Sequence, residues 1–176
     1  MPILILEDGT AASQSANTYV LISDVDTFCD NLGLSEWSAL SITDKETAIL
    51  RGMAAIETYD FKGVKMSWGN PLSWPRYGVW SESYYGGIED WSSEEIAFYQ
   101  EIPKGVKNAA CRAAYEESQS AGCLQASGTS NIKREKIDVI ETEYFDKYPS
   151  VTIYVQIEGY LKDLLKSGDV VNVRRV

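Results

Sequence analysis

Histidine is absent from this chain of 176 residues. That removes the commonest general base and the commonest metal ligand. Cysteine is scarce: Cys29, Cys111 and Cys123 are odd in number and widely spaced. They read as reduced thiols of a cytoplasmic product, two of them at apolar helical positions. No P-loop, G-x-S-x-G, C-x-x-C or dinucleotide fingerprint occurs. Basic residues are outnumbered, 16 Lys and Arg against 26 Asp and Glu, for a net charge of −10. A bulk-basic nucleic-acid binder is therefore disfavoured, because phosphate contacts need clustered cations. No apolar run reaches the roughly 18 residues of a membrane span. The opening M-P-I-L-I-L-E-D is too short and too acidic for a signal peptide. Asp8 in E-D-G-T lacks the rest of a calcium ligand series. The acidic pairs Asp24/Asp26, Glu94/Glu95 and Glu116/Glu117 read as solvated surface. No catalytic residue, cofactor or metal ligand is expected, and enzymatic activity is not expected either.

What the chain has is aromatic surface, with 11 tyrosines and 5 tryptophans. Three of the tryptophans fall in one stretch, W-G-N-P-L-S-W-P-R-Y-G-V-W, from Trp68 to Trp80. It has neither a helical nor an alternating period. Pro71 and Pro75 remove two backbone donors and bias Asn70 and Trp74 towards extended geometry. Each indole can bury roughly 150–250 Å². The stretch is therefore expected to be a packed loop, with Arg76 over an indole or tyrosine face. Its structural role is to staple the flanking helices, and part of its surface is a candidate for packing against a neighbouring subunit.

Around this loop the pattern is mainly helical. Pro2 to Leu6 reads as an edge strand. Ser23 reads as an N-cap, and Val25, Phe28, Cys29 and Leu32 follow at i, i+3, i+4, i+7 until Gly33. Trp37 and Leu40 are expected to pack on this helix from the next turn. T-x-x-E at Thr43–Glu46 reads as a capping box opening a helix over 44–59. Ile49, Met53, Ile56 and Tyr59 form its stripe, with Ala48 and Gly52 beside it. S-x-x-E at Ser92–Glu95 suggests a short helix with Ile96 and Tyr99. Pro103 begins another, running to about Ser120, with Val106, Ala109, Ala110, Ala113 and Ala114 inward and Gly122 as its stop. Its small residues match those of 44–59, so the two are paired.

Composition shifts at Gln125, and 126–131 reads as a linker. Residues 132–146 alternate imperfectly, with a phase slip between Val139 and Ile140 that fits a bulge or a hairpin bend. Pro149 introduces a last helix with Ile153, Ile157, Tyr160, Leu161 and Leu164, stopped by Gly168. The tail V-V-N-V-R-R-V suggests an arm that docks elsewhere. The expected fold is a mainly α bundle of four to five helices, with the long aromatic loop, a hairpin or extended segment near 132–146, and an extended C-terminal arm. Residues 1–125 form the helical core and 126–176 its extension.

Several pieces taken together resemble a known family. They are E-D-G-T and A-N-T-Y-V near the start, A-A-I-E-T-Y-D-F-K-G, L-S-W-P-R-Y-G-V, and I-P-x-x-V-K-N-A-x-C-x-A-A-Y. The chain resembles the head-to-tail adaptor, or connector, proteins of tailed bacteriophages, a family also labelled DnaT-like single-stranded-DNA-binding proteins. The likeness runs from Glu7 to about Leu165. W-P-R-x-G-V followed by I-P-x-x-V-K-x-A is its most specific part.

The resemblance implies a virion protein made in the host cytoplasm. It would assemble as a dodecameric ring between the portal protein and the tail nozzle or tail tube, with DNA passing through the lumen and no membrane partner. On that analogy Val170, Val171, Asn172, Val173, Arg174, Arg175 and Val176 form the portal-docking arm. Trp68, Trp74, Arg76, Tyr77, Trp80, Tyr84 and Tyr85 would meet neighbouring subunits or the tail, as would the 132–146 hairpin. An acidic lumen would let DNA slide without sticking. The alternative is a single-stranded nucleic-acid binding module. Lys62, Lys65 and Arg76, with Trp68, Trp74 and Tyr77 nearby, would then form a local basic and aromatic strip despite the global charge.

Overall fold

A computed structural model describes residues 2–9, 13–79, 102–124, 134–137, 140–143 and 155–166. In chain order the elements are α1 (Ile22–Leu32), a 3-10 turn (Ser35–Ala39), α2 (Ile42–Ile56), β1 (Val64–Lys65), β2 (Arg76–Tyr77), α3 (Lys104–Gln119), β3 (Arg134–Ile137), β4 (Ile140–Glu143) and α4 (Val155–Leu161). The protein is mainly α, with four helices among the described residues and two small antiparallel hairpins.

The core is built on α3, which packs against α1, α2 and α4. Its alanines explain how one helix serves three neighbours. Val106, Ala109, Ala110, Ala113 and Ala114 are all buried, and short side chains let the neighbouring backbones come close. A close approach to α2 falls at Gly52. A Cβ there would lie 2.7 Å from the backbone nitrogen of Ala114 and 2.8 Å from the carbonyl carbon of Ala113. The expected pairing of the two small-residue faces is thus present. Ile49, Met53 and Ile56 are buried, while Tyr59 is only half-buried beyond the helix end.

The helix starts differ from the sequence reading. α1 begins at Ile22, and Leu21 rather than Ser23 is its cap residue. The Asp24 carboxylate reaches back to accept the Leu21 N–H at 2.7 Å. α2 begins at Ile42 on Ser41, whose Oγ accepts the Asp44 N–H at 3.2 Å. The T-x-x-E box two residues later is therefore not the cap. Both S-x-x-D and T-x-x-E satisfy the local rule, and the chain entering from the 3-10 turn selects the earlier one. Trp37 in that turn is buried, and its indole donates to Asp26 Oδ1 at 2.7 Å.

Two acidic residues expected on solvated surface have structural partners. Asp26 also accepts from Lys45 at 2.8 Å. Burial pushes the Asp26 carboxyl up, but the hydrogen bonds from Lys45 and Trp37 outweigh it and hold the group below its ordinary value. Glu117 is buried at 2 % exposure. Its carboxylate accepts the N–H of Gly122 at 2.6 Å and of Leu124 at 2.9 Å, closing the turn after α3. Buried carboxylates persist where backbone donors satisfy them.

The C-terminal elements match in kind and differ in extent. β3 and β4 pair antiparallel with Ile137 opposite Ile140, so the phase slip belongs to a hairpin rather than a bulge. α4 ends earlier than expected, at Leu161. After Leu161 the chain turns, and Leu165 bridges to Phe61 as an isolated antiparallel pair. The Lys62 N–H donates to the Leu164 carbonyl at 2.9 Å, and the Lys166 N–H to the Asp60 carbonyl at 3.0 Å. Ile157, Leu161, Leu164 and Leu165 are buried as a result. The short helix expected from Ser92 with Ile96 and Tyr99, the 126–131 linker, Ile153 and Gly168 lie outside the described residues.

Cys29 and Cys111 are free and buried, while Cys123 is half-buried and its thiol donates to the Glu116 carbonyl at 3.4 Å. Burial, then neighbouring carboxylates, pushes the Cys29 thiol up to about 11 and that of Cys111 to about 12. The thiolate is the reactive form. Neither thiol should therefore react with an aromatic disulfide reagent at neutral pH until denaturant is added. Immediate reaction of all three thiols would contradict this packing.

Candidate functional site

The tryptophan loop is anchored at the C-terminal end of α2. Glu57 caps that end. Its carboxylate accepts the Tyr19 hydroxyl at 2.5 Å and the Ser73 N–H at 2.7 Å. Tyr19 Oη in turn accepts the Trp74 N–H at 3.0 Å. Burial, reinforced by the Glu57 charge, raises the Tyr19 phenol above its ordinary value, so it remains a donor. Three distant segments thus meet in one hydrogen-bonded latch. They are A-N-T-Y-V, A-A-I-E-T-Y-D-F-K-G and L-S-W-P-R-Y-G-V.

The loop also braces itself. Asn70 is 3 % exposed. Its side chain donates to the Trp74 carbonyl at 2.9 Å and accepts the Leu72 N–H at 3.0 Å. Asparagine in a turn holds backbone two residues on in this way. The Met66 N–H donates to the Pro75 carbonyl at 3.0 Å, extending the β1–β2 ladder. The Trp74–Pro75 peptide bond is cis. Gly63 has a φ of 72°, and a Cβ there would lie 2.1 Å from the Tyr77 carbonyl oxygen, so only glycine fits.

The structure sorts the candidate interface residues into two groups. Trp74 is 2 % exposed and packs edge-on against Phe61 with centroids 5.7 Å apart. It is buried in the core of its own chain. Among the described residues Arg76 lies over no aromatic face. Its guanidinium donates to the carbonyls of Lys62 at 2.7 Å, Ser73 at 3.2 Å, Phe61 at 3.1 Å and Gly63 at 2.8 Å. Five fixed donors suit a pocket of converging carbonyls better than a ring face. Burial pushes this group below its ordinary value, against the pull of Asp60, Tyr19 and Glu57. The aromatic-face contacts go instead to Lys45 on Trp37 and Arg112 on Tyr115. Trp68 and Tyr77 face outward, at 96 % and 46 % exposure. Trp80, Tyr84, Tyr85 and the arm Val170–Val176 lie outside the described residues.

The basic strip is likewise held by the fold. Lys62 Nζ donates to the Asp163 carbonyl at 2.8 Å, and Lys65 Nζ to the Asn70 carbonyl at 2.8 Å. Lysine keeps further donors after one such bond. Arg76 is the member withdrawn most completely. No group of His, Cys, Asp or Glu among the described residues could hold a metal ion. No described helix is long and apolar enough to cross a membrane.

Tyr19, Glu57 and Asn70 were not singled out from sequence. The available signal was their place inside the fragments that carry the family resemblance. Removing the Tyr19 hydroxyl leaves the Trp74 N–H and a Glu57 oxygen without a partner. Tyr19→Phe and Glu57→Gln should each lower stability by about 1–3 kcal/mol. The double variant should lose less than the sum. Denaturant unfolding of the four proteins measures this, and strict additivity would mean the latch is not a unit.

Fold and loop define a small, mainly helical protein built around a braced aromatic hairpin. The chain belongs to the family described as "Putative DnaT-like ssDNA binding protein", whose model matches residues 2–176. No curated protein and no solved structure matches it.

Proposed function

We propose that the protein is a virion structural subunit, a head-to-tail adaptor that assembles with copies of itself between the portal protein and the tail. DNA passes through the centre of that assembly without tight binding. One observation carries the reading. The residues that make the aromatic loop distinctive are engaged inside the chain, and the loop presents an exposed apolar tip on a protein of charge −10. Such a surface suits protein contacts, where Trp and Tyr are enriched. On this reading the protein has no catalytic role, needs no cofactor and resides in the virion. The arm Val170–Val176 meets the portal.

The second reading is single-stranded nucleic-acid binding. The family description favours it over the adaptor reading. Trp68, with Lys65 three residues away, is the described part of the loop that could stack on a base. Titration with oligothymidylate at low salt separates the two. Nucleic-acid binding predicts saturation, steep weakening with salt, and loss in Lys65→Glu or Trp68→Ala. The adaptor reading predicts no saturable binding, together with attachment to portal rings. Attachment should be lost on removal of residues 168–176.

A further inference from the structure

Two exposed apolar features lie at opposite ends of α2. The first is a knob beyond its C-terminal end. Trp68 is 96 % exposed, on a stem where Val64 and Tyr77 stand opposite each other at 65 % and 46 % exposure. The braces at Asn70 and Arg76 give this knob a rigid base. The second is a broad open depression of about 670 Å³ beside the N-terminal half of α2, lined by Pro2, Ile3, Leu4, Leu21, Ile22 and Glu46. Ile3 is 70 % exposed there and Leu21 38 %. A volume of that size lies within the roughly 300–1,000 Å³ range of sites that take small organic groups, so one indole fits.

The features are also complementary in polarity. An indole is an apolar plate with a single N–H donor. Glu46 is half-buried and lines the depression, so a carboxylate borders the place an indole N–H would enter. Lys65 flanks the knob, while Glu46 lines the depression. Trp68 is too exposed to be filling the depression of its own chain. A surface carrying both halves of a contact at separate places pairs with another copy of itself.

We infer that Trp68 of one copy seats in the Ile3–Leu21–Glu46 depression of the next. The contact is heterologous, so it closes a ring or propagates as a filament instead of stopping at a dimer. This deepens the proposed adaptor role and rests on its premise of self-assembly.

The test uses the full chain and two surface variants, Trp68→Ser and Ile3→Arg, each checked for an unchanged unfolding midpoint. Native mass is read from micromolar to millimolar concentration. The wild type should form oligomers larger than dimers. Either variant alone should need at least tenfold higher concentration to associate. An equimolar mixture should give heterodimers that grow no further, because it restores one intact contact. A wild type that is monomeric throughout, or a Trp68→Ser chain that assembles like it, overturns the contact. Assembly unaffected by Trp68→Ser, with Trp68 emission quenched by oligothymidylate, assigns the knob to nucleic acid instead. Portal attachment that survives Trp68→Ser at full stoichiometry keeps the adaptor reading and removes the contact. Self-assembly through the contact without portal attachment does the reverse.

Discussion

Trp74→Ala should lower the stability of this protein by about 3–5 kcal/mol, the range for deleting a large buried aromatic. The indole is 2 % exposed and meets Phe61 edge-on. Its backbone N–H belongs to the Tyr19–Glu57 latch, so the cavity would open beside a hydrogen-bonded network that cannot collapse into it freely. Domains of this kind have about 5–15 kcal/mol in total, so the variant should unfold at far lower denaturant or not accumulate. Trp68→Ala is the matched control. That indole is almost wholly exposed, and its loss should change stability by no more than about 0.5 kcal/mol. Similar losses from the two variants would mean that the loop is not divided into a buried and an exposed half.

The second large effect is at Gly52. Helix propensity alone predicts that Gly52→Ala stabilises α2 by roughly 1 kcal/mol. The packing predicts the opposite sign. The new methyl would meet backbone atoms of Ala113 and Ala114 at 2.7–2.8 Å. Backbone in the middle of a buried helix cannot swing aside as a flexible side chain can. The α2–α3 seam must widen, and the alanines along it would lose contact together. Overpacking of this type costs about 1–3 kcal/mol, and Gly52→Val should cost more than Gly52→Ala. A stabilised Gly52→Ala protein in chemical denaturation would show that the two helices do not approach this closely.

Much of the helical frame was legible in the sequence because it depends on period and size. The alanine face of α3 and the small residues of α2 announced their own pairing. The phase slip between Val139 and Ile140 marked the hairpin through a break in alternation. Helix starts were less legible, since Ser41 and Thr43 both carry an acidic residue three positions on. Only the incoming chain decides between them. The latch was illegible for a different reason. Tyr19 and Glu57 are separated by 38 positions, and no local pattern encodes a side chain that reaches a distant backbone N–H. The same limit explains Arg76. Its neighbourhood of tryptophans suggested a ring contact, whereas the fold brings four carbonyls within reach. Glu117 looked like one of an exposed acidic pair because burial by a turn that doubles back is not periodic.

These observations change what the loop fragment means. Much of the part that carries the family resemblance is engaged in holding three chain segments together. It therefore marks the fold as much as any binding surface. What remains on the outside, among the described residues of the loop, is the Trp68 knob with Val64 and Tyr77.

On the proposed adaptor reading, the most direct measurement is the native mass of the protein mixed with a phage portal ring. The account predicts that portal rings gain a fixed dodecameric complement of copies and that an unrelated protein ring gains none. It also predicts that oligothymidylate at low salt neither binds the free protein saturably nor displaces it from the ring. Portal rings that stay bare, while the free protein binds single strands in a salt-sensitive, Trp68-dependent manner, would contradict it.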